Sequence, residues 1–314
     1  MRDRHNGAVA VLSGDTITRY NLDGSGATGW QPAGSGVDDI AIEAASGLVF
    51  VAGYTQKAGD LKVAYLRAYD ANGTVVWTNY DHSASAVKGA NLGADSEGRR
   101  VAIGRDGMLY FAGFTDGGNS IYQRDPRDIG RRLSNSEQIN IDNYSNTSNI
   151  SGAKSLAWFG RFNPADGTLL LGQWLLTRLN DGKGNSIGIK AISAAEDGTV
   201  LLAGDAYASL KSRTGMQFAG ITLGGYEGGE PYFAVIAPDF RTRRIWTALA
   251  APGTSAGSSP LLGAAIRRDA LLVGGTLNPR GSGTPRNLIT VDPLQAAPAD
   301  GATAEGYLLV MPTP

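Results

Sequence analysis

The 314-residue chain has no cysteine, so disulfide staples and thiolate metal sites are excluded. Histidine is almost as scarce: only His5 and His82 are present, too few for an imidazole-built metal centre. Neither sign of charge dominates. Lysine plus arginine (28) and aspartate plus glutamate (29) leave a net charge of −1, which gives no basic field for nucleic acid and no acidic tail. No apolar run approaches the roughly 20 residues of a membrane helix. The N-terminal MRDRHNGAVAV lacks the apolar centre of a secretory signal. No segment reads as a helix of ordinary length, and no cofactor or metal is implied.

What the chain has in quantity is glycine, 44 residues, spaced as a series of short hairpins requires. The clearest stretch runs from Val37 to Tyr80. It reads as four strands, Ile40–Glu43, Leu48–Gly53, Ala64–Tyr69 and Val75–Tyr80, each rich in the β-branched and aromatic residues that suit a pleated surface. Ala45-Ser46-Gly47 and Asp70-Ala71-Asn72-Gly73 supply the turns. One such meander is apolar on both faces, so it must stack against copies of itself.

The copies are present. The second strand recurs as LVFVAG from Leu48, MLYFAG from Met108, TVLLAG from Thr199 and LLVGG from Leu271, with AVAVLSG from Ala8 as a shorter relative. The third recurs as AYLRAYD from Ala64, AWFGRFNP from Ala157, PYFAVIAP from Pro231 and GYLLVMP from Gly306, with TITRYNLD from Thr16. The fourth carries Trp30, Trp77, Trp174 or Trp246. Strand sets with a glycine-and-aromatic signature are the cue for an all-β propeller. The inventory is three complete four-stranded antiparallel blades plus a three-stranded part-blade at each end, about five blades in a single domain over residues 1–314. The unequal part-blades suggest either a piece of a longer propeller or a loosely closed ring.

The order Gly-x-hydrophobic-aromatic-Val-Ala-Gly, aromatic-Leu-Arg-x-Tyr-Asp and Asn-Gly-Thr-x-x-Trp resembles the bacterial β-propeller repeat known as SBBP. The resemblance covers most of residues 37–311. It implies a blade fold and, through the family alone, an extracellular or cell-surface setting. It implies no catalytic residue. Long unequal insertions between second and third strands depart from the family pattern.

Those insertions, 115–156, 206–230 and 277–305, should leave one rim, because each joins antiparallel neighbours at the same end of its blade. Loops on one face of a rigid scaffold are where binding usually sits. The residues singled out there are Arg124, Arg127, Tyr226 and Glu227. The 115–156 insertion reads as a solvated loop, its arginines paired with Asp125 and Asp128, whose removal leaves the blades folded. Its three Asn-x-Ser sequons, at Asn143, Asn146 and Asn149, are the kind of match an Asn/Ser-rich loop produces by chance. The repeated tryptophans read as inter-blade packing in preference to sugar platforms, since repetition is what a structural role predicts.

The leading functional expectation is a non-catalytic binding or structural module presenting rim loops to a protein or glycan ligand. The alternative is a carbohydrate-active hydrolase or lyase using carboxylates at a central channel, where Asp38, Asp39 and Glu43 are the acids not explained by turns. Asp106, Asp197 and Asp269 occupy turns where a side chain caps backbone amides. Gly184-Asn-Ser186-Ile-Gly188 fits a nucleophile-elbow pattern but has no strand–turn–helix around it.

Overall fold

A computed structural model describes residues 8–21, 23–34, 36–43, 45–139, 155–182, 184–252, 259–277, 288–290 and 305–314. The chain divides into two compact units, Met1–Ser151 with Ala157–Trp174, and Gly152–Leu156 with Leu175–Pro314.

Among its described residues the first unit holds three sheets. Strands β1 (Val9–Ser13), β2 (Thr16–Tyr20) and β3 (Thr28–Trp30) form a three-stranded antiparallel sheet. Strands β4 (Gly36–Ile42), β5 (Val49–Gln56), β6 (Lys62–Tyr69) and β7 (Val75–Tyr80) form the complete meander. The Asp70–Thr74 turn shows why it bends where it does: Asp70 Oδ1 accepts from the amides of Asn72 and Thr74, both at 2.8 Å, and Gly73 takes a φ of 80°. A short helix, α1 (Ala84–Gly89), follows, with the Ser83 hydroxyl accepting from the Ala86 amide at 3.2 Å as its N-cap. The third sheet contains β8 (Ser96–Ile103), β9 (Leu109–Thr115), β10 (Gln138–Ile139), β11 (Leu156–Phe162) and β12 (Leu169–Leu175). Within this unit β1 lies against β4, and β8 lies against β4, β5 and β6. Between the first two sheets Ala10 and Ile17 meet Ile40, Val49, Val51 and Tyr65. Each large side chain buried this way contributes about 1.5–3 kcal/mol.

The second unit begins with a small ribbon, β13 (Thr177–Arg178) and β14 (Gly184–Asn185). A four-stranded blade follows: β15 (Ile187–Ala194) and β16 (Val200–Ala206), then β19 (Glu230–Ile236) and β20 (Arg243–Ala248) after the hairpin of β17 (Gln217–Phe218) and β18 (Ile221–Thr222). Strands β21 (Leu261–Ile266), β22 (Leu271–Leu277) and β23 (Glu305–Met311) complete the unit, with β21 packed on β15 and β16. These are antiparallel propeller blades, the class the repeat predicts. Strand β7 begins and ends where the sequence reading put it, at Val75 and Tyr80.

Trp30 and Trp77 make joints within the first unit. The Trp30 ring covers the Asp70–Thr74 turn of the next blade; a Cβ on Gly73 would lie 2.6 Å from it. Trp77 repeats the contact one blade on. Its ring lies over Gly167 and its Nε1 donates to the Pro164 carbonyl at 3.0 Å. Because Trp77 is half-buried, Trp77→Ala should destabilise by about 3 kcal/mol, the low end for a large aromatic. Equilibrium urea unfolding measures this, and a loss below about 1 kcal/mol contradicts a packing role.

The 115–156 insertion departs from expectation. It is not a solvated cover, because its described part enters the core. Ile121, Tyr122, Gln123, Leu133 and Ile139 are all buried. Strand β10 from this insertion pairs in parallel with β12, so the third blade has five strands rather than four. Deleting 116–152 would therefore strip core from the third blade instead of leaving it intact. The 206–230 insertion likewise packs inward: Phe218 meets Phe233 edge-on at 5.5 Å, and Leu210 and Leu223 are buried. Most of the 277–305 loop, and the sequons at Asn143, Asn146 and Asn149, lie outside the described residues, as does His5.

Candidate functional site

Every blade with a described innermost strand carries a β-bulge at the same place. In β4 the register skips Asp38, in β8 Arg99, in β15 Lys190 and in β21 Leu262. The residue before the bulge always faces the second-strand glycine: Gly53, Gly113, Gly204 or Gly275. No other residue fits there. A Cβ would come within 2.1 Å of the Gly36 oxygen at Gly53, and within 1.9 Å of the Gly188 oxygen at Gly204. A tyrosine hydroxyl locks the bulge by donating to the carbonyl two residues before it: Tyr65 to Gly36 at 2.9 Å, Tyr122 to Glu97 at 2.8 Å, and Tyr232 to Gly188 at 3.1 Å. An extra residue in one strand re-aims its side chain out of the ladder. The frame is therefore constant while the presented residue changes from acid to base to leucine.

The third blade builds this lock differently. Where β6 and β19 have Tyr65 and Tyr232, β11 has Trp158, which has no hydroxyl. Tyr122 arrives from the insertion, stacks on Trp158 (centroids 5.1 Å, planes 3° apart) and supplies the missing donor. Gln138 lies between Tyr122 and Trp174; with its amide nitrogen turned toward the Tyr122 carbonyl, 3.1 Å away, its oxygen accepts from Trp174 Nε1.

The bulges sit near the start of each innermost strand. Since Gly36 pairs with Tyr54 at the exit of β5, this is the end of the blade from which the second-to-third connection emerges. In the first unit this end carries an ion network. Lys62 Nζ lies 2.8 Å from Glu97, Arg99 bridges Glu97 and Asp38, and the Arg99–Asp38 contact is 3.2 Å. Burial raises the Asp38 carboxyl above its ordinary range, while Arg99 pulls it back.

The three acids considered for catalysis do not converge. Asp39 accepts from the amides of Val101 and Ile40, each at 3.0 Å, and so pins β8 to β4; burial raises its pKa. Glu43 lies in the β4–β5 turn and accepts from Ser46. It is four residues along from Asp39, about 13 Å at strand rise. Asp38 has a second carboxylate near it, Glu97, but Arg99 stands between them. Asp106 and Asp197 serve turns, accepting from the amides of Met108 at 3.1 Å and Thr199 at 2.9 Å.

Arg124 and Arg127 hold the insertion down. Arg124 Nη2 donates to the Ala90 carbonyl at 3.2 Å. Arg127 Nη2 donates to Thr168 Oγ1 at 2.9 Å, on the β11–β12 turn, the opposite end of that blade from the insertion's exit. Nearby, Arg131 pairs with Asp125 and with Glu137 at 2.8 Å. Hydrogen bonds from Arg131 and from the Ser134 amide lower the Glu137 pKa from 4.5 to about 2. A lowered carboxyl stabilises fully above its unfolded value and loses that contribution as pH falls through its folded value. Protection of the Ser134 amide against hydrogen exchange should therefore fall between about pH 5 and about pH 2; protection that rises over this window contradicts the pairing.

In the second unit, Tyr226 is exposed, its hydroxyl accepting from the Gly229 amide at 2.7 Å. Glu227 donates its amide to Glu230 Oε1 at 2.8 Å. Lys190, the bulge residue, stands 3.9 Å from Asp205. Sequence reasoning missed Lys190, Asp205 and Arg99. Their signal was positional, one residue after the second-strand glycine or after the first-strand residue paired with it. Among the described residues no His, Asp or Glu grouping could hold a metal ion, and no helix is long and apolar enough to cross a membrane.

The blades and their bulges define a β-propeller. No protein-family model and no curated protein sequence matches the chain. Among solved structures it is similar to the dihydro-heme d1 dehydrogenase NirN in complex with DHE, at 14% identity and TM-score 0.41 over 87% of this chain, which spans 41% of that one. It is also similar to the WD40 β-propeller domain of Doa1, at 8% identity and TM-score 0.28 over 86% of each chain. The Dos1 propeller matches at 9% identity and TM-score 0.27, over 82% of this chain and 69% of that one.

Proposed function

We propose that the chain is a non-catalytic β-propeller binding module of the SBBP type, extracellular in setting. It presents the bulge-bearing ends of its blades, and the insertions that leave those ends, to a protein or glycan ligand. One observation carries this reading: a bulge repeated in four blades, tyrosine-locked in three of them, with a different side chain each time, Asp38, Arg99, Lys190 and Leu262. Bulges that re-aim a side chain are over-represented at rims and beside functional sites. The carboxylate chemistry of a glycosidase finds less support, since Asp39 and Glu43 are committed to backbone and hydroxyl donors. Of the rim residues, Tyr226 stays in the proposed surface, whereas Arg124 and Arg127 act as anchors. The proposal keeps residues 1–314 as one domain, which a single cooperative melting transition would support.

The test is a glycan and peptide array probed with the wild-type chain, Lys190→Ser and Leu262→Ser, with melting followed in parallel. Both residues lie outside the ladder, so melting should hold within about 0.5 kcal/mol while binding to the array hits changes. Hits that ignore both substitutions move the surface elsewhere.

A further inference from the structure

We propose that Lys190, Asp205, Tyr207 and Tyr226, in the second unit, form a binding site for a neutral saccharide; this rests on the binding-module reading above. The repeat exposes the site. The position after the second-strand glycine holds Tyr54 in the second blade and Phe114 in the third, and each ring is capped by a cation. Lys62 Nζ lies 4.9 Å from the Tyr54 centroid and the Arg99 guanidinium 5.4 Å from that of Phe114. In the next blade the same position is Asp205, and the cation in the bulge is Lys190. A ring closed by its cation has become a carboxylate faced by an ammonium.

Asp205 is only 8% exposed, and Lys190 Nζ is 3.9 Å away, beyond hydrogen-bond length. A buried carboxylate needs several donors. The Tyr207 side chain hydrogen-bonds it, and burial still raises its pKa. A ligand's hydroxyls can add further donors to it.

Around this carboxylate stand two exposed aromatic rings, Tyr207 at 50% and Tyr226 at 37%. Both are held rather than loose. Tyr207 donates its amide to the Ser186 carbonyl at 2.9 Å. The Tyr226 hydroxyl accepts from Gly229 and donates to the Ala206 carbonyl at 3.4 Å. Fixed tyrosine faces give contact area at low entropic cost. Pyranose C–H faces match such rings, sugar hydroxyls match Asp205 as donors, and Lys190 can donate to a sugar oxygen. The Lys190–Asp205 pair sums to zero charge. A neutral sugar meets no penalty there, whereas an anionic ligand would face the carboxylate.

Saturation-transfer NMR and calorimetry with soluble neutral gluco-, xylo-, manno- and galacto-oligosaccharides, up to about 10 mM, test this. At least one should bind. Tyr207→Ala and Asp205→Asn should each weaken it at least tenfold while the chain still unfolds in a cooperative transition, and Tyr226→Phe should retain binding. Should Asp205→Asn fail to fold, Tyr207→Ala decides alone. Saccharide binding indifferent to Tyr207→Ala overturns the site while leaving a binding module. Silence across the whole panel, with a peptide from the array binding in a Lys190-dependent way, overturns the saccharide and leaves the module standing. Silence across both overturns this inference together with the reading beneath it.

Discussion

Tyr122→Ala should cost the chain about 3–5 kcal/mol, the range for truncating a fully buried aromatic. The ring is completely buried and packs on Trp158, on Trp174 at 6.2 Å, and on Tyr80 edge-on at 5.2 Å. Tyr122→Phe isolates the hydroxyl. It keeps the rings together and leaves the buried Glu97 carbonyl without its donor, a loss of about 1–3 kcal/mol. Urea denaturation measures both. If Tyr122→Ala falls below about 1 kcal/mol, the insertion is a passenger on a blade that stands without it.

The other large effect is expected at Glu230. Arg213 and Glu230 form a two-pronged pair, Nε to Oε2 at 2.8 Å and Nη2 to Oε1 at 2.5 Å, with both side chains fully buried. Arg213 Nη1 also donates to the Gly224 carbonyl at 2.7 Å, and Glu230 accepts from the Glu227 amide. Glu230→Ala strands a guanidinium without water and should destabilise by about 3–5 kcal/mol. Replacing both partners with apolar residues, Arg213→Met with Glu230→Leu, should cost clearly less than the single change, because neither charge is then left bare. A double variant as unstable as Glu230→Ala would show that the pair's worth lies in organising the 206–230 insertion rather than in charge neutralisation.

Much of the fold was legible because its signals are local and repeated. Asp70-Ala-Asn-Gly73 names its own turn, and Val75–Tyr80 names its own strand. Trp30 and Trp77 were legible as joints because the tryptophan recurs at that strand position. The candidate surface was harder to read. A bulge is a disagreement in count between two strands, so it cannot be seen in either strand alone. The role of Tyr122 was hidden for a related reason. Its partner signal is Trp158, a tyrosine position holding a residue with no hydroxyl, and the replacement comes from 36 residues earlier in the chain. Arg124 and Arg127 read as a binding cluster because composition does not reveal which carbonyls a guanidinium will find.

The tryptophan joints also decide where these blades can be edited. Trp30 and Trp77 each rest on the neighbouring blade's third-to-fourth turn, Trp30 on Gly73 and Trp77 on Gly167. A residue added to such a turn would lift it off the ring that covers it, so both ends of the joint would have to be redesigned together. The opposite end answers to no neighbour of that kind. There the second-to-third connection grows from a short link between Gln56 and Lys62 in one blade to the whole stretch between Thr115 and Leu156 in the next. A grafted segment or a reporter peptide belongs at that end, where the architecture already accepts foreign length.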